Sequence, residues 1–327
     1  MRHPNKREKP MSSRIKLILF ISIYFMPFLG VFAEKTIYIY GGDGVGEDAF
    51  IHTKLTLRAV VNPRYNIEEI DASEVIKGKW KDDAILFVMP GGRDQRYDEL
   101  LKGAGNKQIS SFVNSGGKFL AICGAAYYGG QEMEFAKGTR EEIAGSRELG
   151  FFPGLIRGPA FGGIWDKDKN PSGYNYRIYT GARAMPIKWN VDGPFDKDTV
   201  FPVFYNGGPY FVNAEAFSDR VKVLATYQID EQPSVLMERL EDEPRSSIAS
   251  WIPEPKSAIV ECSVGRGTAI LSAVHPEFSP YFLRKSNIYL QKIYPSLFSA
   301  NQERQILMEF LLNHLDIETH KVFMAKL

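Results

Sequence analysis

Short apolar runs separated by glycine-rich turns organise the first third of the chain. Thr36-Ile-Tyr-Ile-Tyr40 alternates β-branched and aromatic residues and runs into Gly41-Gly-Asp-Gly44, which predicts a strand entering a loop. Phe50, Ile51, Leu55, Leu57 and Val60 recur at helical spacing, so a helix is predicted from Asp48 to Val61. Tyr65 to Ile70 reads as a second strand. Ala84-Ile-Leu-Phe-Val-Met89 is continuously apolar and ends in Pro90-Gly91-Gly92. Continuous runs suit strands buried on both faces, as in parallel sheets. Ile109, Phe112 and Val113 mark a helix that Gly116-Gly117 ends. Lys118-Phe-Leu-Ala-Ile-Cys123 is another apolar strand, followed by small residues, Gly124-Ala125-Ala126. Strands and helices alternate from 36 to about 135, which predicts a doubly wound, mostly parallel α/β sheet with flanking helices.

The pattern changes after 136. Residues 136–200 are rich in Gly, Pro, Tyr and charge and read as loops with short antiparallel strands. Phe201 to Val212 reads as a hairpin around Asn206-Gly207-Gly208. Val221 to Tyr227 and Pro233 to Glu238 read as further strands. Ala258 to Val264 and Thr268 to Val274 flank Gly265-Arg-Gly267, a strong hairpin signal. A last helix is predicted from Glu303 to Leu315. No repeat and no Pro- or Ser-rich linker divides the chain, so residues 34–327 are expected to form one domain with an antiparallel elaboration in its second half.

Composition places the chain among ordinary globular proteins: 327 residues, 44% hydrophobic, 24% charged. The net charge of +1 gives no global basic field, so no nucleic-acid partner is expected. The first 33 residues carry Arg2, Lys6, Arg7, Lys9, Arg14 and Lys16 against one acid, Glu8. An apolar run from Leu17 to Phe32 follows, ending in Val31-Phe32-Ala33. A basic start, an apolar core and small residues before the cut describe a secretory signal peptide, so residues 1–33 are expected to be removed. The run falls short of the roughly 20 residues of a full bilayer span. The alternative is an anchor retained by an uncleaved segment. Met11 is an alternative start, since it leaves a more compact basic region. Without residues 1–33 the net charge is −4. The mature chain is thus expected to be exported, periplasmic or secreted, with no membrane partner.

Two cysteines, Cys123 and Cys262, make no disulfide scaffold, although one bridge between them is open in an oxidising compartment. Cys123 ends a predicted parallel strand, at the edge where open α/β sheets bind ligands. The small residues after it allow a tight turn into a helix, whose N-terminus favours a thiolate. The bland alternative is a small buried cysteine. His275 ends a strand-like run, and Glu277 follows two residues on, with Pro276 between. In extended backbone, i and i+2 share a side, so the acid can orient the ring and the ring can take a thiol proton. Gly92 and Gly124 are placed to give backbone N–H groups to an oxyanion. Gly41 to Glu47 does not complete a dinucleotide fingerprint, and no Cys/His cluster has zinc spacing. No cofactor and no metal are expected.

These pieces resemble a known family. Strand–Pro-Gly-Gly, strand–Cys–small–helix and a late His-Pro-Glu, in that order, resemble the class I glutamine amidotransferase-like fold. More closely, Met89-Pro-Gly-Gly-Arg-Asp94, Ala121-Ile-Cys-Gly-Ala-Ala-Tyr127, Arg147-Glu-Leu-Gly-Phe-Phe-Pro-Gly154 and Gly181-Ala-Arg-Ala184 resemble the biotin-protein ligase N-terminal domain family. The likeness runs from about 36 to 280. It implies Cys123 as nucleophile, His275 as base and Glu277 as its orienter, with Gly92 and Gly124 as oxyanion donors. True amidotransferases resemble Gly-x-Cys-x-Gly-x-Gln around the nucleophile. Here both flanking glycines are alanines, Ala121 and Ala125, and Tyr127 stands at the glutamine position. That departure and the export signal point away from glutamine-coupled synthesis. No biotin ligase catalytic domain is read here, so no biotinylation is expected.

Two functions follow. One is a thiol hydrolase or amidase acting on a small amide or acyl substrate through a thioester on Cys123. The other is a non-catalytic module that keeps the fold to bind a ligand or partner. A redox role for an exposed thiol is a third reading. Substrate identity and oligomeric state are not legible.

Overall fold

A computed structural model describes residues 35–137, 142–161, 179, 181–228 and 256–320. The proposed signal peptide and the strand expected at 233–238 lie outside the described residues.

The parallel half follows the apolar runs. In chain order it comprises β1 (Thr36–Tyr40), α1 (Glu47–Val60), β2 (Asn66–Ile70), α2 (Ala72–Lys77), β3 (Ala84–Met89), α3 (Asp94–Leu101), α4 (Ala104–Asn114) and β4 (Lys118–Ile122). β1 pairs in parallel with β2 and β3, and β3 with β4. Leu86 to Met89 and Phe119 to Ile122 are fully buried, because helices cover both faces of these strands. β2 lies at the edge, with Glu68 and Glu69 exposed, and an edge strand bearing charge resists pairing with another chain.

Two helices here were not read from the sequence. α2 starts at Asp71, whose side chain accepts from the Glu74 amide while Glu74 accepts from the Asp71 amide. This capping box was a legible signal. α3 has a weak apolar stripe but buries Asp94, Tyr97 and Leu101.

After β4 come a short helix, α5 (Gly124–Tyr128), and the strands β5 (Gly130–Phe135), β6 (Ile143–Ser146), β7 (Phe152–Gly158), β8 (Arg183–Trp189), β9 (Val200–Tyr205), β10 (Tyr210–Phe211), β11 (Val221–Tyr227), β12 (Ser257–Val264) and β13 (Gly267–Ser272). β13 returns to lie parallel to β4, so the central order is β2-β1-β3-β4-β13. β12 then pairs antiparallel with β13, as the strong hairpin signal expected. Beyond it the sheet continues β12-β10-β7-β5-β6, while β11, β8 and β9 branch from β12. The expected doubly wound sheet with an antiparallel elaboration in the second half is the observed fold. Two helices, α6 (Ile288–Ser299) and α7 (Asn301–His314), complete the described chain. α6 had no clear sequence signal, since Pro295 lies inside it.

One expected hairpin does not form. β9 pairs with β8, and β10 pairs with β7 and β12, so Phe201 to Val212 is not a hairpin. Asn206 to Pro209 instead crosses between sheet branches as a strap. A local pattern of two β-rich runs around Asn-Gly-Gly fits a hairpin, but each run finds a longer-range partner.

Candidate functional site

The end of β4 and the start of α5 meet at Cys123. Its backbone has φ 53° and ψ −108°, a left-handed conformation that a residue with a Cβ rarely adopts. A sharp strand-to-helix turn of this kind lifts a nucleophile above the sheet edge. Its backbone is tied to the neighbouring strand, the Cys123 amide donating to the Ser272 carbonyl at 2.7 Å.

β13 delivers the next pair. Three residues after Cys123's partner carbonyl, the His275 amide donates to the Phe204 carbonyl at 2.8 Å, and the Phe278 amide turns back onto the His275 carbonyl at 3.2 Å. The turn through Pro276 brings His275 Nδ1 to 2.7 Å from Glu277 Oε1. Both side chains are buried. Burial disfavours the imidazolium, but the Glu277 carboxylate and the Cys123 thiol beside it outweigh this and raise the His275 pKa. His275 Nε2 has no hydrogen-bond partner among the described residues. It is the nitrogen left to accept a proton, and the Cys123 thiol is close enough to act on its charge. Cys123 Sγ meanwhile contacts the Asn206 carbonyl of the strap at 3.6 Å.

Gly91 shows how tightly the ring and thiol approach. A Cβ placed there would lie 2.9 Å from His275 Cε1 and 3.4 Å from Cys123 Cβ. Gly92 and Gly124 are in contact with each other, since a Cβ at Gly124 would collide with the Gly92 carbonyl. Neither amide has a backbone acceptor among the described residues. The five residues singled out from the sequence, Cys123, His275, Glu277, Gly92 and Gly124, are therefore brought together. The glycine loop is pinned from below by Asp94, which takes Arg147 Nε at 3.0 Å and Nη2 at 2.5 Å in a buried pair. Glu148 accepts from the Gly103 amide and Asn106 Nδ2. Arg147 and Glu148, given no role from the sequence, thus hold loops.

A cavity of about 920 Å³ opens over Cys123, lined by Val45, Glu47, Tyr127, Phe135, Tyr179 and Phe278 among others. Its floor on the strap side is fixed by phenols. Tyr127 Oη donates to the Gly207 carbonyl at 3.1 Å, Tyr205 Oη to Gly208 at 3.0 Å, and Tyr227 Oη to Pro209 at 2.8 Å. With the Cys123 thiol on Asn206, four consecutive carbonyls of the strap are held by side chains. Tyr127, at the position where amidotransferases resemble glutamine, spends its polar atom on this strap.

Sequence reasoning missed two residues beside the site. His52, read only as part of a helix, is buried and stacks on Phe278 at 4.1 Å. Burial pushes its pKa down to about 4. Arg304, on α7, is buried and donates Nη1 to the Pro276 carbonyl at 2.7 Å. An arginine in an amphipathic helix reads as a solvent-facing residue, so no sequence signal pointed to it.

Both cysteines are free thiols. Cys262 pairs with Ala269 while Ile122 pairs with Ser272, so Cys123 and Cys262 lie about four residues apart along the sheet, roughly 13 Å at ~3.3 Å per residue. A disulfide needs Cα atoms within about 7 Å, so this geometry excludes the bridge. Among the described residues, no cluster of three or more His, Cys, Asp or Glu side chains could hold a metal ion.

Comparison with known proteins gives the family. The chain is 31% identical over 244 residues to a biotin–protein ligase of Schizosaccharomyces pombe, covering 74% of this chain and 33% of that protein. The chain thus spans about a third of the ligase's length. It is 29% identical over 287 residues to an uncharacterized protein of Chlamydia muridarum, covering 86% of this chain and 96% of that one. Among solved structures, a chain of PurLQS from Thermotoga maritima matches at 13% identity with a TM-score of 0.43, covering 81% of this chain and 98% of that one. The biotin-protein ligase N-terminal family model matches residues 35–326, and the chain belongs to that family.

Proposed function

We propose that the chain is a thiol hydrolase or amidase, exported after removal of residues 1–33, acting on a small amide or acyl substrate. One observation carries the reading: a buried His275–Glu277 pair whose free Nε2 adjoins a cysteine held on a strained turn. The Cys123 thiol first passes its proton to His275 Nε2, whose raised pKa favours the imidazolium, and the sulfur anion then bonds to the substrate carbonyl carbon. The carbonyl oxygen becomes an oxyanion beside the Gly92 and Gly124 amides. The tetrahedral species collapses, the carbon–nitrogen bond breaks, and His275 returns the proton to the departing amine. Water then loses a proton to His275 and attacks the thioester, which releases the acid and the thiol. Glu277 holds the ring and offsets its charge throughout.

Biotin transfer is not part of this reading. Gly265-Arg266-Gly267 is the turn joining β12 and β13, paired down to Val264 and Gly267, rather than a nucleotide loop.

A binding module is the second reading, favoured by the strap: the resting thiol contacts the Asn206 carbonyl. Alkylation of Cys123 across pH by iodoacetamide and by an electrophilic glutamine analogue separates the two. The hydrolase reading expects a thiol faster than a free one, slowed by His275→Ala. A Cys123 no faster than a free thiol, and indifferent to His275, would leave the binding module.

A further inference from the structure

We propose that Arg304 is a positioning residue of the His275–Glu277 pair, acting on it from the C-terminal helix. The inference rests on the hydrolase reading and adds a part to its machinery.

The Glu277 side chain is fully buried. Oε1 meets His275, while Oε2 has no hydrogen-bond partner among the described residues. A carboxylate in such a place needs a nearby positive charge. Arg304 supplies it. The guanidinium is itself buried, forms no ion pair within 4.0 Å among the described residues, and feels Glu277 as its leading counter-charge against a burial that pushes its pKa down to about 10. A buried arginine without a carboxylate in its field would be unusual.

The contacts are directional as well as electrostatic. Nη1 donates to the carbonyl of Pro276, the single residue between His275 and Glu277, at 2.7 Å. Nε donates to Asn301 Oδ1 at 2.8 Å, which fixes the plane of the fork. Thr56 Oγ1 holds the Glu277 carbonyl from the other side at 2.8 Å. The Pro276 turn is thus gripped by α7 and α1, and the angle at which the acid meets the ring follows from that grip. A lysine carries the charge but cannot serve Pro276 and Asn301 in one plane.

The test is the rate of Cys123 alkylation by iodoacetamide in the full chain. Arg304→Met is expected to slow it about tenfold, and to slow it no further in a His275→Ala background, because both changes remove the same base. Arg304→Lys is expected to recover part of the rate. A folded Arg304→Met variant that reacts at the wild-type rate overturns the proposal. Losses that multiply in the double variant overturn it too, since Arg304 would then act elsewhere. Should Arg304→Met not fold, Asn301→Ala takes its place. It is expected to slow alkylation about threefold, with no effect once His275 is gone, and an unchanged rate overturns the proposal. If His275→Ala itself leaves the rate unchanged, the hydrolase reading fails and the proposal goes with it. A slowed His275→Ala beside a normal Arg304→Met sinks the proposal alone.

Discussion

Two buried histidines share one phenylalanine. His52, on α1, lies flat on Phe278 with ring centroids 4.1 Å apart, and His275, after β13, meets the edge of the same ring at 4.8 Å. Both are shut away from water. Burial acts on the two rings alike, yet their charges move in opposite directions. His52 has no acid bonded to it and its pKa falls to about 4. His275 holds Glu277 and its pKa rises to about 10. The comparison teaches that the carboxylate, and not the apolar surround, makes one of these rings a base.

The sharpest way to break that contrast is to delete each ring. His275→Ala is expected to slow Cys123 alkylation by about a hundredfold, the lower end of what a positioned base contributes. His52→Phe, which keeps the stack on Phe278, is expected to leave it within about threefold, consistent with a non-participating neighbour. Equal losses in the two variants would collapse the distinction.

The next largest effect isolates the acid. Glu277→Gln keeps the shape and removes the charge, so alkylation is expected to fall about tenfold or more. The same change bears on stability against pH. His275 has a folded pKa above its unfolded value of about 6.5, so its contribution is full below that pH and is lost as pH rises toward about 10. Urea unfolding at pH 7 and 9.5 measures the decline, and Glu277→Gln is expected to flatten it.

His52 has the reverse sign. Its folded pKa lies below the unfolded value, so its contribution is present above about pH 6.5 and is lost as pH falls toward about 4. A separation of that size corresponds to about 3 kcal/mol. His52→Phe is expected to remove this much of the acid slope in urea unfolding between pH 7 and 4. An unchanged slope would place the acid sensitivity elsewhere.

The smallest change tests the contact between halves of the site. Gly91→Ala puts a methyl group 2.9 Å from His275 Cε1. The expected cost is about 1–3 kcal/mol of stability, read in the urea midpoint, with slower alkylation as the ring is pushed from the thiol.

The same contrast bears on what a sequence reveals. His275 was found because Pro276 and Glu277 sit beside it in the chain, and Cys123 because a strand-to-helix turn demands small neighbours. The central strands β3 and β4 announced themselves as apolar runs, since both their faces are buried. His52 stacks on Phe278, more than two hundred residues along the chain, and Arg304, apart from its neighbour Asn301, reaches Pro276 in a turn about thirty residues back. The strap misled for the same reason: its ends look like a hairpin locally, and β7 and β12 claim one of them across the fold.

Cys123 occupies a backbone conformation that glycine would adopt freely. A side chain in such a region costs on the order of 1–3 kcal/mol. The strain gives this position a diagnostic use among relatives. A lineage that has lost the chemistry has a standing thermodynamic incentive to put glycine there, while one that still needs sulfur must tolerate the tension. On the hydrolase proposal, residue 123 is therefore a marker: glycine there in a relative is expected to go with a lost thiol function, and alkylation of that relative tests it.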